Sequence, residues 1–241
     1  MTAASSSDNP PRLLRRPRAE ARSVEDLLDD MAAGLIRIPR FQRPLRWQHD
    51  DVDLLFDSMY SGYPIGTLLF WRRPAQPEQL QLGGMSIDAP ARQDALWVVD
   101  GQQRLDSLFG VLGATKVPEH GKYSLFFDLA DGRFRRCTPR GRPGQTWLPL
   151  ANVVDSAKLL DWLHDRGSAL GRDETSRAMD LSKRIREYSI PTYTVDSDDD
   201  EPLRTIFDRM NSTGVRLDKA DVFNALHYTG EGHAGIRTIA E

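Results

Sequence analysis

Val98-Val99-Asp100-Gly101-Gln102-Gln103-Arg104-Leu105 is the stretch in which an apolar run stops at five polar or small residues before apolar periodicity resumes. The pattern predicts a strand that delivers a polar turn into a helix running from Gln102 to Leu112. Asp100 offers oxygens that accept hydrogen bonds or coordinate a cation. Gly101 permits a tight turn and close approach to a ligand, and Gln102, Gln103 and Arg104 carry amide and guanidinium donors. Such a set suits an anionic, oxygen-rich ligand, and the end of a strand that opens a helix is where phosphate-type groups commonly sit. A plainer reading stands beside it, in which Asp100 caps the helix and Arg104 pairs with a nearby carboxylate. Two consecutive glutamines contribute little to capping and favour the ligand.

Upstream, Ser23 is a good N-cap, and Val24, Leu27, Leu28 and Met31 recur at helical spacing until Gly34, before the extended Leu35–Pro39. A second helix is predicted from about His49 to Ser61, with Val52, Leu55, Phe56 and Met59 on one face. Gly62-Tyr63-Pro64 breaks it before a strand, Thr67 to Trp71, and a loop rich in Pro, Gln and Gly is expected to about Arg92. Downstream, Tyr123 to Asp128 and Arg133 to Thr138 read as a hairpin turned by Ala130-Asp131-Gly132. A flexible Pro139–Gly144 segment, a helix-rich region from Ser156 to Tyr188 and a strand from Ser189 to Val195 follow. The acidic run Asp196, Asp198, Asp199, Asp200 and Glu201 precedes a helix, Pro202 to Met210. Its carboxylates suit the positive end of that helix better than a calcium loop, whose alternating pattern they lack. Asn211 to Val215 turns the chain into a last helix from about Asp218 to Tyr228.

The chain has 241 residues, 39% of them hydrophobic, and a net charge of −3. That length holds a full core, and the composition reads as residues 1–22 forming a disordered basic tail and 23–241 one domain. No apolar run approaches the roughly 20 residues that span a bilayer, and Met1–Pro11 has no apolar centre for a signal peptide, so a cytoplasmic protein is expected. The single cysteine, Cys137, has no second cysteine for a disulfide or a zinc site and reads as structural or incidental. The charge is segregated: arginines crowd the tail, and Arg133, Arg135, Arg136, Arg140 and Arg142 crowd the hairpin region. A ribbon with a basic edge can lie against a nucleic-acid backbone; a solvated charged hairpin is the alternative.

Ile38-Pro39-Arg40-Phe41-Gln42-Arg43, Trp47, Gly62-Tyr63-Pro64-Ile65-Gly66, Asp100-Gly101-Gln102-Gln103-Arg104 and Phe207-Asp208-Arg209-Met210-Asn211-Ser212-Thr213-Gly214 occur in that order. In these motifs, from about Ser23 to His227, the chain resembles the N-terminal domain of GmrSD-type restriction enzymes, a family related to ParB-like nuclease and sulfiredoxin folds. The expected fold is therefore α+β, a ParB/sulfiredoxin-like mixed sheet with packed helices and a helix-rich C-terminal half. Studied members bind or hydrolyse nucleoside triphosphates and help to recognise modified DNA, often joined to a helical segment and a nuclease domain of the His-Asn-His class. The five histidines here show no such motif, so cleavage by this chain alone is not expected. The unfinished helical pattern of Gly235–Glu241 reads as a chain cut short.

The resemblance implies an NTP-binding or NTP-hydrolysing DNA-recognition domain of a restriction or phage-defence system, acting with a nuclease effector. Asp100 and Arg104 are the expected catalytic pair, with Asp100 holding a magnesium ion or polarising water. Gly101, Gln102, Gln103, Arg43 and Asn211 are expected at the nucleotide, and Arg40, Phe41, Gln42, Arg133, Arg135 and Arg136 at DNA. For the first of these segments the alternative is that Phe41 and Trp47 fill the core while its arginines pair with Asp50, Asp51 and Asp53. Leu45 departs from the aromatic that family members often carry there. A second function fits the same residues: a non-catalytic module that senses a nucleotide or DNA and signals to a partner nuclease, favoured by the absence of a phosphate-loop lysine. Direct ParB-like nuclease action ranks below both, because the carboxylates are not clustered for two metals. The partners implied are a nucleoside triphosphate, DNA with or without modification, a nuclease domain or subunit and a second copy of the chain, without a membrane.

Overall fold

Capping chemistry sets the limits of the first helices. The Ser23 hydroxyl accepts from the Asp26 amide at 3.0 Å while the Asp26 carboxylate accepts from Ser23, a reciprocal capping box. Gly62 closes the second helix at φ 77°, a left-handed cap that favours glycine. The computed structural model describes residues 16–39, 46–114, 121–137, 141–167 and 169–196. In chain order they form β1 (Arg18–Ser23), α1 (Val24–Ala32), β2 (Ile36–Arg37), α2 (His49–Ser61), β3 (Leu68–Arg72), β4 (Glu78–Leu82), β5 (Met85–Ala89), β6 (Leu96–Asp100), α3 (Gln102–Leu112), β7 (Phe126–Asp128), β8 (Arg133–Arg135), β9 (Trp147–Pro149), α4 (Ser156–Asp165), α5 (Arg172–Arg186) and β10 (Ser189–Asp196).

The main sheet has five strands in the order β1-β10-β3-β6-β2 and is mixed: β10 with β3 and β2 with β6 are parallel, the other pairs antiparallel. This is the expected α+β architecture. Ile36 lies beside Leu96 and Phe70 beside Val98, and these side chains join Val24, Leu27, Met31, Phe56, Leu105, Leu181 and Ile185 of the helices in one buried core. Each such aliphatic or aromatic side chain contributes roughly 1.5–3 kcal/mol by leaving water. The central helix is α3, buried over most of its circumference from Leu105 to Leu112. Phe127 and Phe134, on a three-stranded ribbon ordered β8-β7-β9, pack edge-on with each other at 5.1 Å, and Phe127 meets Tyr60 of α2 at 4.9 Å.

Three expectations need correction. Arg18–Ser23 is an edge strand, paired with β10 from Arg18 opposite Thr194 to Ser23 opposite Ser189, rather than tail. The expected loop before Arg92 contains the β4–β5 hairpin, whose two-residue turn is Gly83-Gly84 at φ 58° and 76°. The basic hairpin is shorter than expected, and β9 pairs along the other side of β7. Residues 1–15, the acidic run beyond Asp196, the Asn211 turn and the last helices lie outside the described residues.

Topology fixes what can meet. Because β2 and β6 are parallel, the chain leaving Arg37 and the chain leaving Asp100 emerge at the same end of the sheet. Because β3 runs antiparallel to β6, with Leu69 opposite Asp100, the Gly62–Gly66 segment enters at that end too. β10 runs parallel to β3 and finishes at Asp196, opposite Arg72, at the other end.

Candidate functional site

Asp100 is the last residue of β6, and the chain turns into α3 through Gly101 at φ 96°. A β-carbon on Gly101 would lie 2.3 Å from the Leu68 side chain and 3.2 Å from Arg104 Nη2, so glycine is required by conformation and by space alike. No side chain caps α3. Asp100 therefore does not serve as its cap; its Oδ2 lies 3.1 Å from Arg104 Nη2, so the other half of the plainer sequence reading holds. The side chain of Asp100 is 35% exposed and that of Arg104 15%, so the carboxylate is the more open to solvent of the two.

Arg104 also ties the helix to the loop before β3. Its Nη1 donates to the Ile65 carbonyl at 2.7 Å, and a β-carbon on Gly66, at φ 89°, would stand 2.2 Å from that nitrogen. The Tyr188 hydroxyl donates to the Tyr63 carbonyl at 2.6 Å and holds the other side of the loop. Burial pushes the Tyr188 hydroxyl's pKa up. The segment that breaks α2 before β3 thus also presents one carbonyl to Arg104.

Gln103 Oε1 accepts from two backbone amides, Arg46 at 2.8 Å and Trp47 at 2.7 Å. Gln102 is half-buried and its side chain makes no hydrogen bond to any described residue. Asp100, Gly101, Gln102, Gln103 and Arg104 are thus brought together with Ile65, Gly66, Arg46 and Trp47. Arg40, Phe41, Gln42, Arg43 and Asn211 lie outside the described residues. Of the acids proposed to balance those arginines, Asp51 accepts from the Gln48 amide at 2.8 Å and Asp53 pairs with Arg136 at 2.6 Å.

The ribbon arginines differ among themselves. Arg133 is exposed and forms no ion pair with any described residue. Arg135 pairs with Asp131 and lies 3.8 Å from Asp128. Burial alone would raise the Asp128 carboxyl, but hydrogen bonds from Thr146, the Ala130 amide and Trp147, with the Arg135 charge, hold it below its ordinary value. Arg136 turns inward: besides Asp53 it donates to the carbonyls of Gly121, Lys122, Ser124 and His49. Cys137 is half-buried and its thiol pKa is raised by burial, which suits an inert side chain.

Further along α3, Asp106 is 3% exposed and accepts from the Gly83 amide at 2.8 Å, from the Tyr123 hydroxyl, and from Lys122 at 3.5 Å. Desolvation, then the hydrogen bond to Asp106 and its charge, push Tyr123 far above its ordinary pKa. This cluster locks the β4–β5 turn to α3 and was missed in the sequence, where a lone acid among Leu105, Leu108 and Phe109 was its only signal. Among the described residues no three His, Cys, Asp or Glu gather in a way that could hold a metal ion. Asp100 alone would fit magnesium that draws its other ligands from phosphate oxygens and water, the usual arrangement for that ion. No helix among the described residues is long and apolar enough to cross a membrane.

The chain is 25% identical over 247 aligned positions to an uncharacterized protein of Methanocaldococcus jannaschii, the match covering 87% of this chain and 42% of that protein. The chain thus spans less than half the length of this relative. The family model for the GmrSD restriction endonuclease N-terminal domain matches residues 24–228, from the first residue of α1 past all the motifs quoted above. The chain belongs to the GmrSD restriction endonuclease N-terminal domain family.

Proposed function

We propose that the chain is the nucleoside triphosphate-binding and hydrolysing, DNA-recognition part of a cytoplasmic restriction or phage-defence system that works with a nuclease effector. The observation that carries this reading is the gathering of Asp100, Gly101, Gln102, Gln103 and Arg104 at a helix start with no side-chain cap. Amides at such a start that no side chain of the described residues caps, backed by a guanidinium, favour phosphate oxygens. Gln102 contributes amide donors, Arg43 and Asn211 complete the nucleotide contacts, and Arg104 stabilises charge that develops during phosphoryl transfer. A magnesium ion, held by Asp100 and the phosphates, would supply charge neutralisation. Asp100 orients the attacking water. Arg40, Phe41, Gln42 and the ribbon residues Arg133, Arg135 and Arg136 face DNA, with Arg133 the most available of the last three.

The alternative is a sensor that binds the nucleotide or DNA without turnover. It is favoured by the single carboxylate that the described residues bring to the site and by an Arg104 whose two terminal nitrogens already have protein partners. Direct nuclease action needs a carboxylate cluster that the described residues lack. Phosphate release from each of the four nucleoside triphosphates with magnesium, with and without DNA, separates the readings. Turnover that disappears in Asp100→Ala supports hydrolysis; saturable binding without turnover supports the sensor; cleavage of a plasmid by the purified chain, lost in the same variant, would overturn both.

A further inference from the structure

Gln103 differs from its neighbours in what its amide already does. Both main-chain donors, Arg46 N–H and Trp47 N–H, converge on its single side-chain oxygen at 2.8 and 2.7 Å, across 57 and 56 residues of sequence. An oxygen that accepts two amides is saturated and its side chain is fixed, so Gln103 serves the fold through its acceptor rather than a ligand through its oxygen. The same corner is gripped from the far side, where Arg136 donates to the His49 carbonyl at 3.3 Å and pairs with Asp53. Gln48, between the two grips, donates to the Arg46 carbonyl at 3.2 Å and starts α2. The backbone at Arg46 is therefore held at the first turn of α3 while its side chain stays exposed and forms no ion pair with any described residue.

We propose that Gln103 is a positioning residue: its side-chain oxygen pins the Arg46–Trp47 backbone to the start of α3, so that the Arg46 guanidinium stands ready to meet a polyphosphate bound beside Asp100 and Arg104. This rests on the nucleotide reading and deepens it, adding Arg46 to the site and assigning Gln103 an indirect part. An arginine fixed by its main chain meets a phosphate with less ordering cost than one on an unanchored segment, and the contact is charge-assisted.

The two halves of Gln103 can be separated by substitution. Gln103→Glu keeps an acceptor at the same reach and removes the amide donors; Gln103→Met keeps the length and removes the acceptor. The probes are the amide hydrogen exchange of Arg46 and Trp47 in the full chain, and the dissociation constants of ATP and GTP with magnesium. The expected result is protection of both amides lost in Gln103→Met and kept in Gln103→Glu. Nucleotide affinity falls about tenfold in Gln103→Met and by less than about threefold in Gln103→Glu. Arg46→Ala weakens nucleotide binding by roughly the same factor as Gln103→Met while leaving the Trp47 amide protected. Unchanged amide protection in Gln103→Met overturns the anchor. Lost protection with unchanged affinity overturns its link to the ligand, and a Gln103→Glu variant as weak as Gln103→Met returns Gln103 to direct contact. Failure of the unaltered chain to bind either nucleotide removes the nucleotide reading and the role of Arg46 with it, while the exchange data still decide the anchor.

Discussion

Two carboxylates six residues apart in the chain, Asp100 at the end of β6 and Asp106 in α3, live in opposite circumstances. Asp106 is 3% exposed and meets an amide, a phenol and an ammonium. Asp100 is 35% exposed at the side chain and meets only Arg104 among the described residues. The inner group is satisfied and enclosed, so it can act only on stability. The outer one is satisfied on one oxygen and open to solvent, beside an uncapped helix start. Residue type does not separate structure from chemistry here; burial and unused hydrogen-bonding capacity do.

The largest effect is expected from the inner group. Asp106→Ala strips the Gly83 amide, Tyr123 and Lys122 of their acceptor and should cost about 3–5 kcal/mol in denaturant unfolding. A loss below about 1 kcal/mol would mean that the turn is held by packing alone. Next comes Gly66→Ala, at the joint between the two regions. The left-handed backbone costs about 1–2 kcal/mol for a residue with a β-carbon, and the new carbon would displace Arg104 from the Ile65 carbonyl. Stability and nucleotide affinity should fall together; a fall in stability alone would show that Arg104 need not be held there to work.

Tyr123→Phe sharpens the comparison through pH. Tyr123 is neutral when protonated and its folded pKa is raised above the ordinary 10.0. Its contribution is fully present below about pH 10 and is lost as pH rises, because the unfolded chain releases the proton first. Unfolding followed from pH 8 upward should show that decline in the unaltered chain and a shallower one in Tyr123→Phe, which near neutrality loses only about 1 kcal/mol. Identical alkaline profiles would show the phenol to be outside the buried cluster. Asp100→Asn has the smallest expected effect on stability, under about 1 kcal/mol, since its ion pair is partly exposed.

The sequence was most legible where the signal was local. The extent of α2 follows from the apolar face from Val52 to Met59 and from Gly62; the Asp100-Gly101 stop announced both β6 and α3. What it hid was long-range or masked by composition. The alternation Leu80, Leu82 against Gln79, Gln81 is a strand pattern with a Gly83-Gly84 turn, but glutamines and prolines made it resemble a loop. Arg18–Ser23 became a strand because β10 offers it an edge, which no short window of sequence reveals. At the site, residue types pointed to Asp100, Gln103 and Arg104, whereas their partners did not: Ile65 is 39 residues from Arg104, and Arg46 is 57 from Gln103. Arg136 read as one of three equivalent basic residues until its carbonyl partners appeared.

The contrast between the two carboxylates is tested most directly by the shift in melting temperature that a magnesium nucleoside triphosphate produces in the unaltered chain and in Asp100→Asn. Ligand at 100 times its dissociation constant stabilises the folded chain by about 2.7 kcal/mol, enough to raise the midpoint by several degrees. The expected result is a clear rise in the unaltered chain and little or none in Asp100→Asn, with the two ligand-free midpoints nearly equal. An equal rise in both would contradict placing the ligand beside Asp100.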